Sequence, residues 1–187
     1  MIEVLRAAGT RFVAIQGASD AEGVAAKITA TAAVLGHEAA GKSLVARVRA
    51  DLALAAAAVA VVAATTRLLF ILSLQGGAVL AGGSGSSAEG IILLDGAVNA
   101  AAGFAGYKPM MDEAVLAADP QAILVMDREG DWSITPAMIR AHTALDQTQA
   151  ALQGRIIGMD GMFLLGFGPR TGQAALALHD AFYGATG

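Results

Sequence analysis

The sequence predicts an α/β fold in which a mainly parallel sheet is covered by helices on both faces, giving three layers. From residue 67 onward, short apolar runs of strand length alternate with helix-like patterns, and this alternation is typical of parallel sheets. Ahead of that region lies one long apolar stripe with helical spacing. We therefore expect three segments: residues 1–36 with a helix, a strand and a helix, residues 37–66 as a long linker helix, and residues 67–187 as a Rossmann-like C-terminal lobe.

Composition excludes several classes of function. Hydrophobic residues make up 56% of the 187 residues and charged residues 15%, so a core is readily buried. A net charge of −4, without a run rich in lysine or arginine, argues against a nucleic-acid partner. The absence of cysteine excludes disulfides and thiolate metal sites. We also expect no signal peptide at the start of this chain, because Met1–Arg6 lacks a basic region followed by an apolar one.

One segment is long enough to raise the question of a membrane span. Leu52–Leu74 contains a single charge, Arg67, which lies well inside the apolar run, where a charge is costly in lipid. The first part of the run is mostly alanine, and Thr65-Thr66 interrupts it. We expect a buried helix followed by a strand rather than a membrane span.

The elements before residue 67 follow from caps and periodicity. The first 36 residues predict Ile2–Ala8 as a helix capped by Gly9, Arg11–Gln16 as a strand, and a helix from Ser19 or Asp20 to Leu35 closed by Gly36. The next helix begins near Glu38 and presents a single stripe: Leu44, Val45, Val48, Leu52, Ala55, Val59 and Val62. At 1.5 Å per residue this helix is about 35 Å long, a length that suits a bridge between two lobes.

The elements after residue 67 alternate. The predicted strands are Leu68–Leu74, Ala122–Asp127 and Arg155–Met159, with a further strand near residue 98. The predicted helices are Ala88–Leu94, Met111–Ala118, Pro136–Leu145 and Thr171–Tyr183. Asp119-Pro120 ends the second of these helices, and Tyr107 with Lys108 precedes it, where such folds place residues that contact ligands.

Several motifs are weak when taken alone. Gly83–Ala88 matches G-x-G-x-x-A, but eight residues separate it from the preceding strand and no acidic residue follows at the required distance, so it predicts either a helix N-cap or a weak anion site. His37, His142 and His179 have no ligand spacing and are expected to be surface or capping residues. Asp127, Glu129 and Asp131 fit a solvated turn better than a calcium loop. No catalytic motif is present, which favours a binding protein over an enzyme.

Gly166–Thr171, GFGPRT, is the most distinctive short motif. Its glycines allow close approach of the backbone to a ligand, and Arg170 offers a planar fork that suits a carboxylate. A second interpretation remains open, in which Arg170 pairs with a neighbouring acid such as Asp160.

Four longer segments together resemble the C-terminal lobe of periplasmic hemin-binding proteins, the solute-binding components of heme ABC importers: LLFILSLQGG, GSGSSAEGIILLDGAVNAA, GYKPMMDEAVLAADPQAILVMD and MDGMFLLGFGPRTGQAALAL. An earlier segment is similar to the end of that family's first lobe and the inter-lobe helix that follows it: EGVAAKITATAAVLGHEAAGKSLVARVRADL. The resemblance implies a chain that begins near the last helix and strand of the N-terminal lobe, so residues 1–36 are expected to be a remnant of that lobe. It also implies a periplasmic location.

The resemblance also implies the site. Tyr107 corresponds to an aromatic that packs on the ligand, Arg170 to a position in a cleft-facing segment whose chemistry suits a propionate, and Phe167 and Lys108 to neighbouring contacts. Gln75, Gly76 and Gly77 correspond to a turn that faces the cleft, and Glu113 to the acid that docks on the permease. In the family the iron ligand, most often a tyrosine, lies in the N-terminal lobe. An exposed cleft face or the long helix would then favour a homo-oligomer.

Two other classes remain as alternatives. One is a nucleotide-binding Rossmann or flavodoxin-like enzyme that uses Gly83–Ala88, and the other is a membrane-embedded or scaffolding protein.

Overall fold

A computed structural model describes residues 2–9, 12–15, 17–62, 65–127 and 133–184. The chain begins with three helices, α1 (Ile2–Ala7), α2 (Ala21–Leu35) and α3 (Glu38–Val59). Asp20 caps α2 by accepting a hydrogen bond from the Gly23 N–H at 2.7 Å, and Gly36 ends it in the left-handed region at φ 68°. These boundaries confirm the prediction from the caps.

A single six-stranded sheet forms the centre of the remaining chain. Its strands are β1 (Arg67–Gln75), β2 (Ala78–Gly82), β3 (Val98–Asn99), β4 (Tyr107–Met110), β5 (Ala122–Asp127) and β6 (Ile156–Asp160). They lie in the order β4-β2-β1-β5-β6, and β3 pairs with β1. The β1–β3, β1–β5 and β5–β6 pairs are parallel, whereas β2 is antiparallel to both of its neighbours. The sheet is therefore mainly parallel, as the alternation predicts.

Alternate residues of the central strands build two cores. Phe70 and Leu124 face one core, which is completed by α2, α3, α4 (Ser87–Leu94), α8 (Gly161–Leu165) and α9 (Thr171–Tyr183). Leu69 and Ile123 face the other core, which is completed by α5 (Asp112–Ala118), α6 (Pro136–Ala141) and α7 (Gln149–Leu152). Because strand side chains alternate between faces, a continuous apolar run is required in strands that are covered on both sides. The three-layer arrangement is confirmed.

The long helix α3 is unbroken and packs against α9 on one face of the sheet. Its 22 residues correspond to about 33 Å at 1.5 Å per residue. Gly172 of α9 lies so close to α3 that an added Cβ would be 2.6 Å from Asp51 Cβ. The helix ends at Val59, earlier than the predicted residue 66. The residues that follow include four β-branched ones, Val61, Val62, Thr65 and Thr66, which have a lower helix propensity. Within the described ranges, no helix is both long and apolar enough to cross a membrane.

Two strands were absent from the sequence prediction. β1 and β2 form a hairpin whose turn, Gly76-Gly77, has positive φ at both residues (57° and 79°). A pair of positive φ angles suits the right-handed twist of a hairpin, so Gly76-Gly77 connects β1 to a second strand and does not merely end the first. β4 pairs with β2 at the edge of the sheet and carries Lys108 and Pro109, both of which are common on edge strands.

Two further predictions need correction. Residues 12–15 of the predicted strand Arg11–Gln16 have no regular structure, because no strand among the described residues pairs with them; residues 11 and 16 lie outside those ranges. The predicted helix Pro136–Leu145 ends at Ala141 and is followed by a 3-10 turn, Leu145–Gln147. The His142 side chain there bonds to other parts of the backbone instead of lying on a helix surface. The proposed division into three segments stays a prediction.

Candidate functional site

A pocket of about 490 Å³ lies where the central parallel strands end. The ends of β5 and β6 contribute Met126-Asp127 and Asp160, and the start of α8 contributes Gly161 and Met162. The remaining walls come from Leu72, Tyr107, Leu165 and Gly166. In open α/β sheets, ligands bind outside the carboxyl ends of the strands, so the position of this pocket is that of a binding site.

Tyr107 is held in the wall of the pocket by its hydroxyl group. The hydroxyl shares a hydrogen bond with Ser87 Oγ at 2.8 Å and accepts one from the Ala88 N–H at 3.3 Å. Its ring lies edge-on to Phe70, with centroids 6.3 Å apart. Gly82 of the neighbouring strand leaves the space for this ring, since an added Cβ would be 3.2 Å from Tyr107 Cε1. The ring is therefore fixed, and its hydroxyl points into the protein.

The polar groups in the pocket wall are acidic. Asp127 and Asp160 are register partners on adjacent strands. Asp160 also caps α8, because its Oδ1 accepts a hydrogen bond from the Phe163 N–H at 2.7 Å. Among the described residues that line the pocket, none is basic. The pocket thus combines apolar walls with a negatively charged edge.

Arg170 lies outside this pocket. It is exposed at the N-terminus of α9, and its guanidinium carbon is 5.3 Å from the centroid of the Phe163 ring, a cation–π distance. It forms no ion pair with a described residue, so the alternative in which it pairs with Asp160 is not observed. Tyr107 lines this pocket and Arg170 does not, although α8 contributes both to the pocket wall and, with Phe163, to the contact beneath Arg170.

Phe167, which is expected to contact the ligand, lies in the core and is not among the residues that line the pocket. Only 4% of the residue is exposed, and its backbone has a positive φ of 43°. The ring packs on Gly90 of α4, where an added Cβ would be 2.8 Å from Phe167 Cζ. Lys27 of α2 donates a hydrogen bond to the carbonyl of Gly166 at 3.1 Å, which links α2 to the turn that contains Phe167.

The other predicted site residues are exposed but separate from the pocket. Gln75, Gly76 and Gly77 form the turn of the β1–β2 hairpin, and the Gly77 carbonyl is 2.9 Å from His142 Nε2. Lys108 lies on the edge strand β4, and Glu113 lies in the first turn of α5. They remain candidates for contacts beyond the pocket wall.

The loop Gly83–Ala88 satisfies its own hydrogen bonds. Ser86 Oγ accepts from the Glu89 N–H at 3.2 Å, and the Glu89 carboxylate accepts from the Gly85 N–H at 2.7 Å. Together with the bond from Ala88 to Tyr107, these contacts occupy the N–H groups that a phosphate would need, and Glu89 would repel it. The geometry does not support a nucleotide site.

Sequence reasoning missed Met162, which lines the pocket. The sequence does contain a signal for it, because a Met-Asp pair ends both β5 and β6 at the carboxyl edge of the sheet, and Met162 follows the second pair by two residues. Of the histidines expected to be surface or capping residues, His142 is the C-cap of α6, and both His142 and His179 are buried. No cluster of three or more metal-ligating side chains occurs among the described residues, and Glu129 and Asp131 lie outside them.

Comparison with known proteins identifies the family. The sequence profile of the periplasmic binding proteins matches residues 2–162. The chain belongs to the periplasmic binding protein family. Members of this family are solute-binding proteins, which agrees with the absence of a catalytic motif. No curated protein matches the chain.

Solved structures support the same assignment. The chain is similar to the periplasmic heme-binding protein BhuT, solved in complex with two hemes, with 35% identity, a TM-score of 0.91, and coverage of 96% of this chain and 69% of that one. It is also similar to the apo form of the heme-binding protein RhuT from Roseiflexus sp. RS-1 (32% identity, TM-score 0.91, 98% and 71% covered). The heme-binding protein HutB of Vibrio cholerae is 25% identical, with a TM-score of 0.85 and coverage of 97% and 71%.

Proposed function

We propose that this chain is the C-terminal lobe and linker helix of a heme-binding protein that delivers heme to the permease of an ABC importer in the periplasm. The observation that carries the proposal is the pocket at the carboxyl ends of β5 and β6, with Tyr107 in its wall. Relatives above 30% identity are heme-binding proteins, and the pocket in this chain has the apolar walls that a porphyrin requires.

Within this proposal Tyr107 packs against the porphyrin and does not ligate iron. Its hydroxyl already has two partners inside the protein, and breaking both to reach iron would leave the Ala88 N–H unpaired. The ring itself is rigid and faces the pocket, which suits stacking.

Arg170 is proposed to hold a propionate at the rim. Its guanidinium lies over Phe163 and outside the acidic pocket, so it offers the charge-assisted hydrogen bonds that a carboxylate needs. Lys108 and the turn at Gln75, Gly76 and Gly77 are proposed as further contacts at the cleft, and Glu113 as a docking point for a basic surface of the permease.

The test is a hemin titration followed by absorbance, with Tyr107→Ala, Tyr107→Phe and Arg170→Ala. We expect Tyr107→Ala and Arg170→Ala each to weaken binding by about ten-fold, which corresponds to about 1.4 kcal/mol. Tyr107→Phe keeps the ring and should bind like the wild type. Arg140→Ala, an exposed arginine on α6 at the opposite face of the sheet, is the matched control for Arg170.

Two results would contradict the proposal. The first is a wild-type chain that does not change the hemin spectrum. The second is hemin binding that all of these substitutions leave unchanged, which would place the site elsewhere.

The docking role of Glu113 has a separate test. Glu113→Gln should weaken binding of the chain to vesicles that contain the importer permease, and the loss should shrink as salt rises because the interaction is between exposed charges. Glu38→Gln, an exposed first-turn glutamate on α3, is the control. Equal binding of the two variants at low salt would remove Glu113 from the interface.

A further inference from the structure

The pocket contains two methionines in different environments. Met126 is 8% exposed, and its sulfur packs beneath the start of α8, where a Cβ added to Gly161 would be 2.7 Å from Met126 Sδ. Met162 is the next residue along α8 and is 76% exposed. Because Met162 both lines the pocket and is open to solvent, its side chain is available to a ligand that enters the pocket.

Met162 also has the most available donor atom of suitable chemistry among the described lining residues. The hydroxyl of Tyr107 is occupied by Ser87 and Ala88, and an oxygen of Asp160 caps α8. Asp127 is exposed, but a carboxylate is a hard donor that favours hard cations. A thioether is soft and is among the axial ligands that proteins use for heme iron.

From this arrangement we infer that the sulfur of Met162 is the ligand that this lobe supplies to the iron of bound heme. The inference rests on the proposed function and adds an identified iron-binding atom to it. The acidic edge formed by Asp127 and Asp160 repels the propionates and therefore turns them away from the strand ends, which leaves the iron and the apolar part of the porphyrin toward α8.

The inference makes a prediction about oxidation state. A thioether favours ferrous over ferric iron, so ligation by Met162 raises the reduction potential of the bound heme. Replacing the sulfur should then weaken ferrous heme binding more than ferric heme binding.

The experiment uses the full chain with Met162→Leu, Met162→His and Met138→Leu. Leucine keeps the apolar volume of methionine without its sulfur, and histidine restores a ligand. Met138 is an exposed methionine on α6, at the opposite face of the sheet, and controls for the substitution itself. Circular dichroism verifies that each variant is folded, and the readouts are ferric and ferrous heme titrations, the low-spin absorbance bands and the reduction potential.

We expect Met162→Leu to weaken ferrous heme binding by about ten-fold and to lower the reduction potential, with a smaller loss for ferric heme. Met162→His should recover low-spin bands at a lower potential than the wild type, and Met138→Leu should match the wild type.

Met162→Leu with wild-type spectra, potential and ferrous affinity would overturn the inference. If Tyr107→Ala still weakens hemin binding in that case, the proposed function stands and only the ligand assignment fails. If the wild-type chain binds no hemin, the proposed function fails as well.

Discussion

Asp95 and His179 form a buried acid–base pair with no role in the pocket. The Asp95 side chain is fully buried, and its Oδ1 is 3.7 Å from His179 Nδ1. Among the residues that the structure describes, neither carboxylate oxygen of Asp95 has a hydrogen-bond partner, and His179 Nδ1 has none either. Burial raises the pKa of Asp95 from 3.8 to about 7, because the charged carboxylate is poorly solvated there.

This raised pKa predicts how stability depends on pH. The folded chain binds the Asp95 proton more tightly than the unfolded chain, so its contribution is fully present below about pH 4 and is lost as the pH rises to about 7. We therefore expect Asp95→Asn to gain stability relative to the wild type as the pH rises from 4 to 8, by about 4 kcal/mol at most, because each pKa unit corresponds to about 1.4 kcal/mol.

Urea unfolding at several pH values measures this effect. Asp180→Asn, an exposed acid on the same helix as His179, is the control and should leave the pH profile unchanged. A constant difference in unfolding free energy between Asp95→Asn and the wild type over this pH range would show that folding does not change the pKa of Asp95.

At the scale of elements, the crossing of α3 and α9 depends on a glycine. A Cβ added to Gly172 would be 2.6–2.7 Å from Asp51 and from the backbone of Leu52. Backbone atoms do not yield at that distance, so the two helices would have to separate.

We expect Gly172→Ala to reduce the free energy of unfolding by about 1–3 kcal/mol, as overpacking does in other cores. Gly168→Ala is a matched control, since an added Cβ there meets nothing within 4 Å and its φ is not positive. The measurement is a thermal or urea transition. Equal midpoints for the two variants would mean that the helices separate without cost.

The elements that the sequence predicted are those with strong local signals. The bounds of α2 follow from Asp20 and Gly36, and α9 has the predicted range Thr171–Tyr183 because its helical periodicity is continuous. The strands β2 and β4 were missed, since five and four residues give little periodicity and their pairing is set by the hairpin turn. The shortened α6 reflects a long-range contact, His142 with Gly77, that no local pattern contains.

At the scale of the whole molecule, the fold was predictable and the site only in part. Alternating strands and helices identify a parallel sheet, and a parallel sheet places a pocket at its carboxyl edge. Tyr107 was singled out by its position before a predicted helix and by a resemblance, and it lies in the pocket wall. Phe167 lies in the core at a positive φ that no local pattern shows, and the pocket residues of α8 were missed because a five-residue helix carries almost no sequence signal.

The surface of the whole chain leads to a final prediction, self-association through the cleft face or the long helix. Exposed apolar residues occur on both: Met162 is 76% exposed at the pocket, and Leu54 is 61% exposed on α3. Clustered exposed apolar surface usually binds a partner.

We expect light scattering to show a mass above that of a monomer as the concentration rises. A lysine at the position responsible for self-association should restore the monomer. Met162→Lys tests the cleft, Leu54→Lys tests the helix, and Leu152→Lys on α7, where the wild-type residue is 75% exposed on the opposite face, is the control. A wild-type chain that stays monomeric at every concentration would show that neither surface is self-complementary.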